Sequence, residues 1–155
     1  MAMDVLQKFA DFGIEFTKPP LDQVEMPMDI TDLSSEQLAE KFTELTAWAD
    51  YIASQMAISQ IEERSALKKL EFAENTQLVQ RMGAATRGER ITIVKAQIAV
   101  DPTVVSLSQD YENKYAYRKM VEMLLNNHER DLSLVSREIT RRTHDQRAMR
   151  KDWGV

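Results

Sequence analysis

The chain has 155 residues, a formal net charge of −5 and a mean hydropathy of −0.43. It has no cysteine, which excludes a disulfide framework and thiolate metal sites. No apolar run approaches the roughly 20 residues that span a bilayer, and no basic stretch leading into an apolar core suggests a signal peptide.

The charge is segregated. Residues 1–50 carry 3 Lys/Arg against 11 Asp/Glu, whereas residues 51–100 carry 7 against 5 and residues 101–155 carry 10 against 9. An acidic chain overall can still steer an anionic ligand, because the local field and not the net charge acts on it.

Residues 1–33 read as an acidic N-terminal arm. Val5, Leu6, Phe9, Phe12 and Ile14 form one or two short amphipathic turns, ended by Gly13 and by Pro19-Pro20. Val24, Met26, Met28 and Ile30 then alternate. Two readings stay open: an extended leader, or a docking arm that lies on a neighbouring subunit or imitates an acidic strand.

From Ser34 to Met82 the chain has neither Pro nor Gly and is rich in good helix formers. Ser34 and Gln37 form a capping box. At 1.5 Å per residue the helix would reach roughly 70 Å, so its apolar stripe needs a partner of matching length. Leu38, Phe42, Leu45, Ala49, Ile52 and Met56 follow a four-three spacing, the signature of a heptad seam. The seam is expected to falter at Ser59 and Glu63 and to resume through Ile58, Ile61, Ala66, Leu70 and Ala73, as a stutter or a change of partner. Gly83 sits where a C-cap belongs, and 83–90 read as a basic Gly/Arg loop. The β-branched run 91–100 reads as a short helix or extended linker, with a strand as the other possibility.

Asp101 and Pro102 fit the N-cap and first position of a second long helix, to about residue 151. Val105, Leu107, Tyr111, Tyr115, Val121, Leu124, Leu125, Leu132, Val135 and Ile139 keep helical spacing. The expected fold is therefore all-α: a long antiparallel helical hairpin over 34–155, helices about 34–82 and 102–151, with the arm in front. A hairpin of this length buries too little against itself, so an oligomer is expected.

Catalytic chemistry finds little support in the sequence. His128 and His144 lie in no metal-ligand pattern, and His128 falls among core positions as a hydrogen-bonded seam residue. Glu62-Glu63 and the pair Asp110 and Glu112 sit on one helix each, whereas acid–base work needs groups converging from different elements. The chain is read as a non-enzyme without cofactor or metal.

The basic residues carry more information. Arg64, Lys68 and Lys69 lie about one turn apart, followed by Arg81, Arg87, Arg90 and Lys95. From Arg64 to Lys95 there are 7 basic residues against 3 acidic ones. Arg137 and Arg141 form an i,i+4 pair in a second cluster that includes Arg142, Arg147, Arg150 and Lys151, near Trp153. Solvated helix faces with internal ion pairs are one reading. An anion-binding surface is the other, since the planar fork of arginine binds phosphate bidentately. Tyr111, Tyr115 and Tyr117 could stack on bases, or serve the core.

The layout resembles the small helical recombination mediators of phages, the UvsY type. The likeness is carried by Leu45-Thr46-Ala47-Trp48, by Ala66-Leu67-Lys68-Lys69-Leu70-Glu71-Phe72, and by Met82-Gly83. The family motif runs approximately Leu-Lys-x-Arg-Leu-Asp-Tyr; this chain is one residue shorter before the second Leu and has Lys69 where Arg is expected. The resemblance implies a non-enzymatic, oligomeric protein that binds single-stranded DNA. It would help load a recombinase onto strands covered by single-strand-binding protein, with Lys68 and Lys69 as carried-over DNA contacts. From the composition, cytoplasmic residence is the expected default, the host cell's if the chain is phage-encoded, with no membrane partner. Two other classes remain in view. One is a coiled-coil structural or assembly protein, as a virion component or adaptor. The other is a regulator whose acidic arm imitates nucleic acid.

Overall fold

The computed structural model describes residues 7, 8, 10–13, 19, 20, 22, 24–84 and 91–152. Val5, Leu6, Phe9 and Ile14 of the arm, Arg87 and Arg90 of the basic loop, and Trp153 lie outside the described residues. Among the described residues the fold is all-helical, without strands. Three helices dominate: α1 (Ser35–Ala84), α2 (Ile91–Ala99) and α3 (Pro102–Asp152).

The helix starts follow local chemistry. The Gln37 N–H donates to Ser34 Oγ (3.1 Å), and the Ser34 N–H donates to Gln37 Oε1 (2.8 Å), completing the capping box of α1. At α3 the Thr103 N–H donates to Asp101 Oδ1 (3.0 Å), with Pro102 in the first position, where a missing N–H costs nothing. Gly13 adopts φ +72°, and its N–H donates to the Ala10 carbonyl (2.9 Å), closing a helical turn. Gly83, by contrast, lies inside α1 instead of capping it, and without positive φ. The run 91–99 is helical, with Val94 and Ile98 buried.

The α1 seam does not falter. Leu38, Leu45, Ile52, Ser59 and Ala66 are all buried and recur every seven residues. A second series, Ala49, Met56, Glu63, Leu70 and Gln77, is half-buried or buried at the same interval. The register is one unbroken four-three series, and what changes is its chemistry. Ser59 is small enough to fit, and its hydroxyl donates to the Met56 carbonyl (2.8 Å). Ile61, expected on the resumed stripe, is 41% exposed, and Phe42 is 39% exposed. On α3 the same period runs through Val104, Leu107, Tyr111, Lys114, Arg118 and Val121, then Leu125, His128, Leu132, Val135, Ile139 and Arg142, each buried or half-buried. Val105, Tyr115 and Leu124 fall outside that series and are exposed.

The chain divides into two compact units. The first comprises Met1–Glu15 and Met56–Val121; the second comprises Phe16–Gln55 and Glu122–Val155. In the first, Leu70, Val94, Ile98 and Val104 form a core joined by Leu78, Leu107 and Tyr111, so all three helices contribute. Its α1–α3 pairings run in opposite senses, with Arg81 on Asp101, Glu62 on Lys114 and Glu63 on Arg118.

In the second unit, Leu38, Leu45 and Val135 form the core. The described part of the acidic arm packs on it through Val24, Met26, Ile30 and Leu33. Two hydrogen bonds fasten that segment: Trp48 Nε1 donates to the Asp22 carbonyl (2.7 Å), and Arg142 Nη2 donates to the Thr31 carbonyl (3.1 Å). The Trp48 ring also meets Tyr51 edge-on at 5.9 Å and His128 at 6.3 Å between centroids. His128 Nδ1 lies 2.9 Å from the Leu124 carbonyl. Of the alternating series, Val24, Met26 and Ile30 thus find an apolar partner within their own chain, whereas Met28 is fully exposed.

Candidate nucleic-acid interface

In the first unit one flank of α1 carries Gln60, Arg64, Leu67, Lys68 and Glu71, at spacings that keep them within about a third of the helix circumference. With Glu63 and Arg118 they line an open groove of about 590 Å³. Arg118 comes from α3. Among the described residues it is the one contribution from that helix, and it is held twice. Its guanidinium pairs with the Glu63 carboxylate and lies 5.3 Å from the centroid of the Tyr115 ring. Lys114, one turn away, reaches Glu62 at 3.2 Å.

The groove balances three cations against two carboxylates. Arg118 and Glu63 largely neutralise each other. Arg64 and Lys68 are exposed and make no ion pair among the described residues. Two cations on one helix flank, about 6 Å apart along the axis, above a floor that includes Leu67, can bind an extended anionic chain and give apolar contact beneath it.

The other expected residues are placed elsewhere. Lys69 is exposed and also without an ion pair among the described residues, but it does not line the groove. Arg81 is committed to the start of α3: its Nη2 is 3.2 Å from Asp101 Oδ2, and Nε and Nη2 donate to Gln77 Oε1 at 3.1 and 2.9 Å. The Asp101 carboxyl is held below the usual carboxylate range. A hydrogen bond from Gln77 contributes most, followed by the Thr103 and Val104 N–H groups and the Arg81 charge, against the opposing effect of burial. Lys95 is exposed on α2, beside a cleft of about 320 Å³ that Glu74 also lines.

In the second unit Arg137 is exposed. Arg141 is not free. It donates to both Glu138 oxygens (2.8 and 2.9 Å) and to Asp145 (2.9 Å), while Arg142 Nε donates to Glu138 at 2.7 Å. Hydrogen bonds from Arg141, then Arg142, lower the Glu138 pKa to about 2. Glu138 in turn raises that of Arg141. This network fixes the arm through Thr31 and consumes the charge that the sequence offered to a ligand.

Structure therefore brings Arg64 and Lys68 together in the groove, while Lys69, Arg81 and Lys95 are not among its lining residues, and Arg137 and Arg141 belong to the second unit. Sequence reasoning missed Arg118 and Lys114. Their signal was present: two cations at seam spacing on α3, matched by Glu62-Glu63 on α1. Among the described residues no group of three or more His, Asp or Glu side chains could hold a metal ion. No single helix among them is long and apolar enough to cross a membrane.

No protein-family model, curated protein or solved structure matches this chain. The functional reading consequently rests on the groove.

Proposed function

We propose that this chain is a non-enzymatic single-stranded DNA-binding mediator, acting as a homo-oligomer of long antiparallel helical hairpins. In this role it helps load a recombinase onto strands covered by single-strand-binding protein. The reading is supported by one observation above all: Arg64 and Lys68 share a groove flank, exposed and without ion pairs among the described residues, while Arg81 and Arg141 are neutralised by Asp101 and Glu138. Cations without an ion pair among the described residues, with the Leu67 side chain in the same groove, suit a phosphate chain whose bases need only sequence-tolerant contact.

One such groove, with a small net positive charge, is a weak site. Repetition over the subunits of an oligomer multiplies it along a strand. The affinity is then steeply salt-dependent, through counterion release.

The experiment is fluorescence anisotropy of a labelled single-stranded oligonucleotide across a salt series, with light scattering on the same sample. Binding by a particle of several subunits that weakens steeply with salt supports the proposal. Absence of binding by the wild-type chain at low salt overturns it. The heptad seams favour a second reading, a coiled-coil assembly protein. Under that reading, charge reversal at Arg64 and Lys68 leaves assembly unchanged.

A further inference from the structure

The C-terminal part of α3, in the second unit, repeats a cation–carboxylate dipeptide every seven residues: Arg130-Asp131, Arg137-Glu138, His144-Asp145 and Lys151-Asp152. An α-helix turns about 100° per residue and returns to nearly the same face after seven. The repeat therefore sorts the two signs of charge onto two lines along one helix. The carboxylate line runs beside the seam. Asp131 is half-buried, Glu138 is 7% exposed and held by Arg141 and Arg142, and Asp145 receives Arg141 at 2.9 Å. The cation line faces outward, with Arg130, Arg137 and His144 all exposed.

The outward face is broader than the repeat alone. Ser133, Arg137, Thr140, His144 and Arg147 follow a four-three spacing, with Arg150 one turn beyond, and all are exposed. Arg137, Arg147 and Arg150 make no ion pair among the described residues, and Arg130 donates to the neutral Asn127 Oδ1 (3.4 Å). Four guanidiniums thus extend over roughly 30 Å of helix. Neither the series nor the flanking Arg130, Ser136, Thr143 and Arg150 includes a carboxylate or a large apolar side chain. The residues between the arginines are mostly Ser and Thr, short enough to leave the guanidiniums clear of the surface.

This chemistry selects the occupant. A protein partner needs apolar or aromatic anchors at the centre of its contact, and the face offers none. A second copy of α3 would have to meet the cations with its carboxylate line, yet Glu138 and Asp145 are already engaged by Arg141 and Arg142. A line of arginines without apolar or aromatic neighbours matches a row of phosphates, which the guanidinium fork binds bidentately. We infer that the Arg130–Arg150 face of α3 is a second nucleic-acid contact, one that holds the phosphate backbone without stacking on bases. The inference rests on the nucleic-acid reading above and adds to the groove a site in the other unit. It also separates the roles of the two. The groove includes Leu67 and suits single strands, whereas a face that touches phosphates alone takes single strands and duplexes alike.

The test compares arginines that differ in engagement but not in charge. Anisotropy is measured with a labelled single strand and with a duplex, across a salt series, on the full chain. Arg137→Gln with Arg147→Gln lowers affinity for both oligonucleotides by about tenfold or more at low salt, and lessens the single-strand slope of log K against log salt by about 1.4. Arg141→Gln removes the same kind of charge four residues from Arg137, but its guanidinium is held by Glu138 and Asp145, so affinity changes less than about twofold. Equal losses from Arg137→Gln and Arg141→Gln, each made alone, overturn the inference, because binding then follows net charge and not the face. If the double variant loses helix content by circular dichroism, Arg147→Gln alone against Arg141→Gln decides on the same criterion. Single-strand binding that the double variant retains in full defeats the face and leaves the groove standing. Duplex binding that the double variant loses, with no single-strand binding by the wild-type chain, defeats the mediator reading and leaves the face standing. Binding of neither oligonucleotide by the wild-type chain overturns both.

Discussion

The Arg118 guanidinium of α3 pairs with the Glu63 carboxylate of α1 at heptad positions, where side chains are only 15% and 17% exposed. An apolar pair would be the usual occupant there. This charge pair keeps the four-three register of both helices while forming one wall of the basic groove. Removing one partner leaves the other poorly solvated. Glu63→Leu or Arg118→Leu is therefore expected to cost about 1–3 kcal/mol. The double substitution should recover most of that loss, because a heptad seam accepts leucine. Chemical denaturation of the two single variants and the double variant tests this.

Leu45 and Phe42 occupy adjacent positions of the same seam in sequence. In the structure Leu45 is 1% exposed and Phe42 39%. Leu45→Ala should destabilise by about 2–5 kcal/mol. Phe42→Ala, with much of its ring still in water, should cost less than about half as much. Thermal or urea unfolding ranks the two, and equal losses would contradict the burial pattern.

For the groove, Arg64→Glu with Lys68→Glu should lower single-stranded DNA affinity by about tenfold or more at low salt. Neutralising Lys68 alone should lessen the slope of log K against log salt by about 1. Arg81→Gln and Arg141→Gln should leave that slope unchanged, since their charges are already consumed by Asp101, Glu138 and Asp145. Anisotropy titrations at several salt concentrations distinguish these outcomes.

Glu138 gives the clearest acid sensitivity. Hydrogen bonds from Arg141 and Arg142 lower its pKa from 4.5 to about 2 in the folded chain. The unfolded chain binds the proton more readily, so stability rises with pH across this window. The contribution is complete above the unfolded value of 4.5 and is lost as pH falls toward about 2. Glu138→Gln should flatten the acid limb of a stability profile over that interval. It should also loosen the arm segment that Arg142 holds at Thr31, readable as changed fluorescence of Trp48, whose indole N–H binds the Asp22 carbonyl.

Local chemistry was legible in the residues. Ser34 and Gln37 cap α1, Asp101 and Pro102 open α3, and Gly13 closes a turn, because each needs only neighbours within a few positions. The heptad period was legible for the same reason: an α-helix returns a residue to nearly the same face every seven positions. Polar side chains in that period were harder. Ser59 and Glu63 looked like a break, yet Ser59 is buried and Glu63 has a partner 55 residues away. Burial of a small hydroxyl and pairing of a carboxylate both depend on what stands opposite, which periodicity along one helix does not encode.

The same distinction governs the candidate site. Composition and spacing alone pointed to two long helices and a cationic second half, because helix propensity and charge are properties of the residues themselves, whereas the helix at 91–99 came from the structure. Which cations are available to a ligand is a property of the packing. Arg81 and Arg141 are indistinguishable from Arg64 by type or helical context, yet Asp101 and Glu138 neutralise them. The arm, too, reads as a separate leader until Val24, Met26, Ile30 and Leu33 meet Leu38, Leu45 and Val135. An ion pair or an apolar contact forms only when the fold sets two distant side chains within a few ångströms, and that proximity arises when the helices pack.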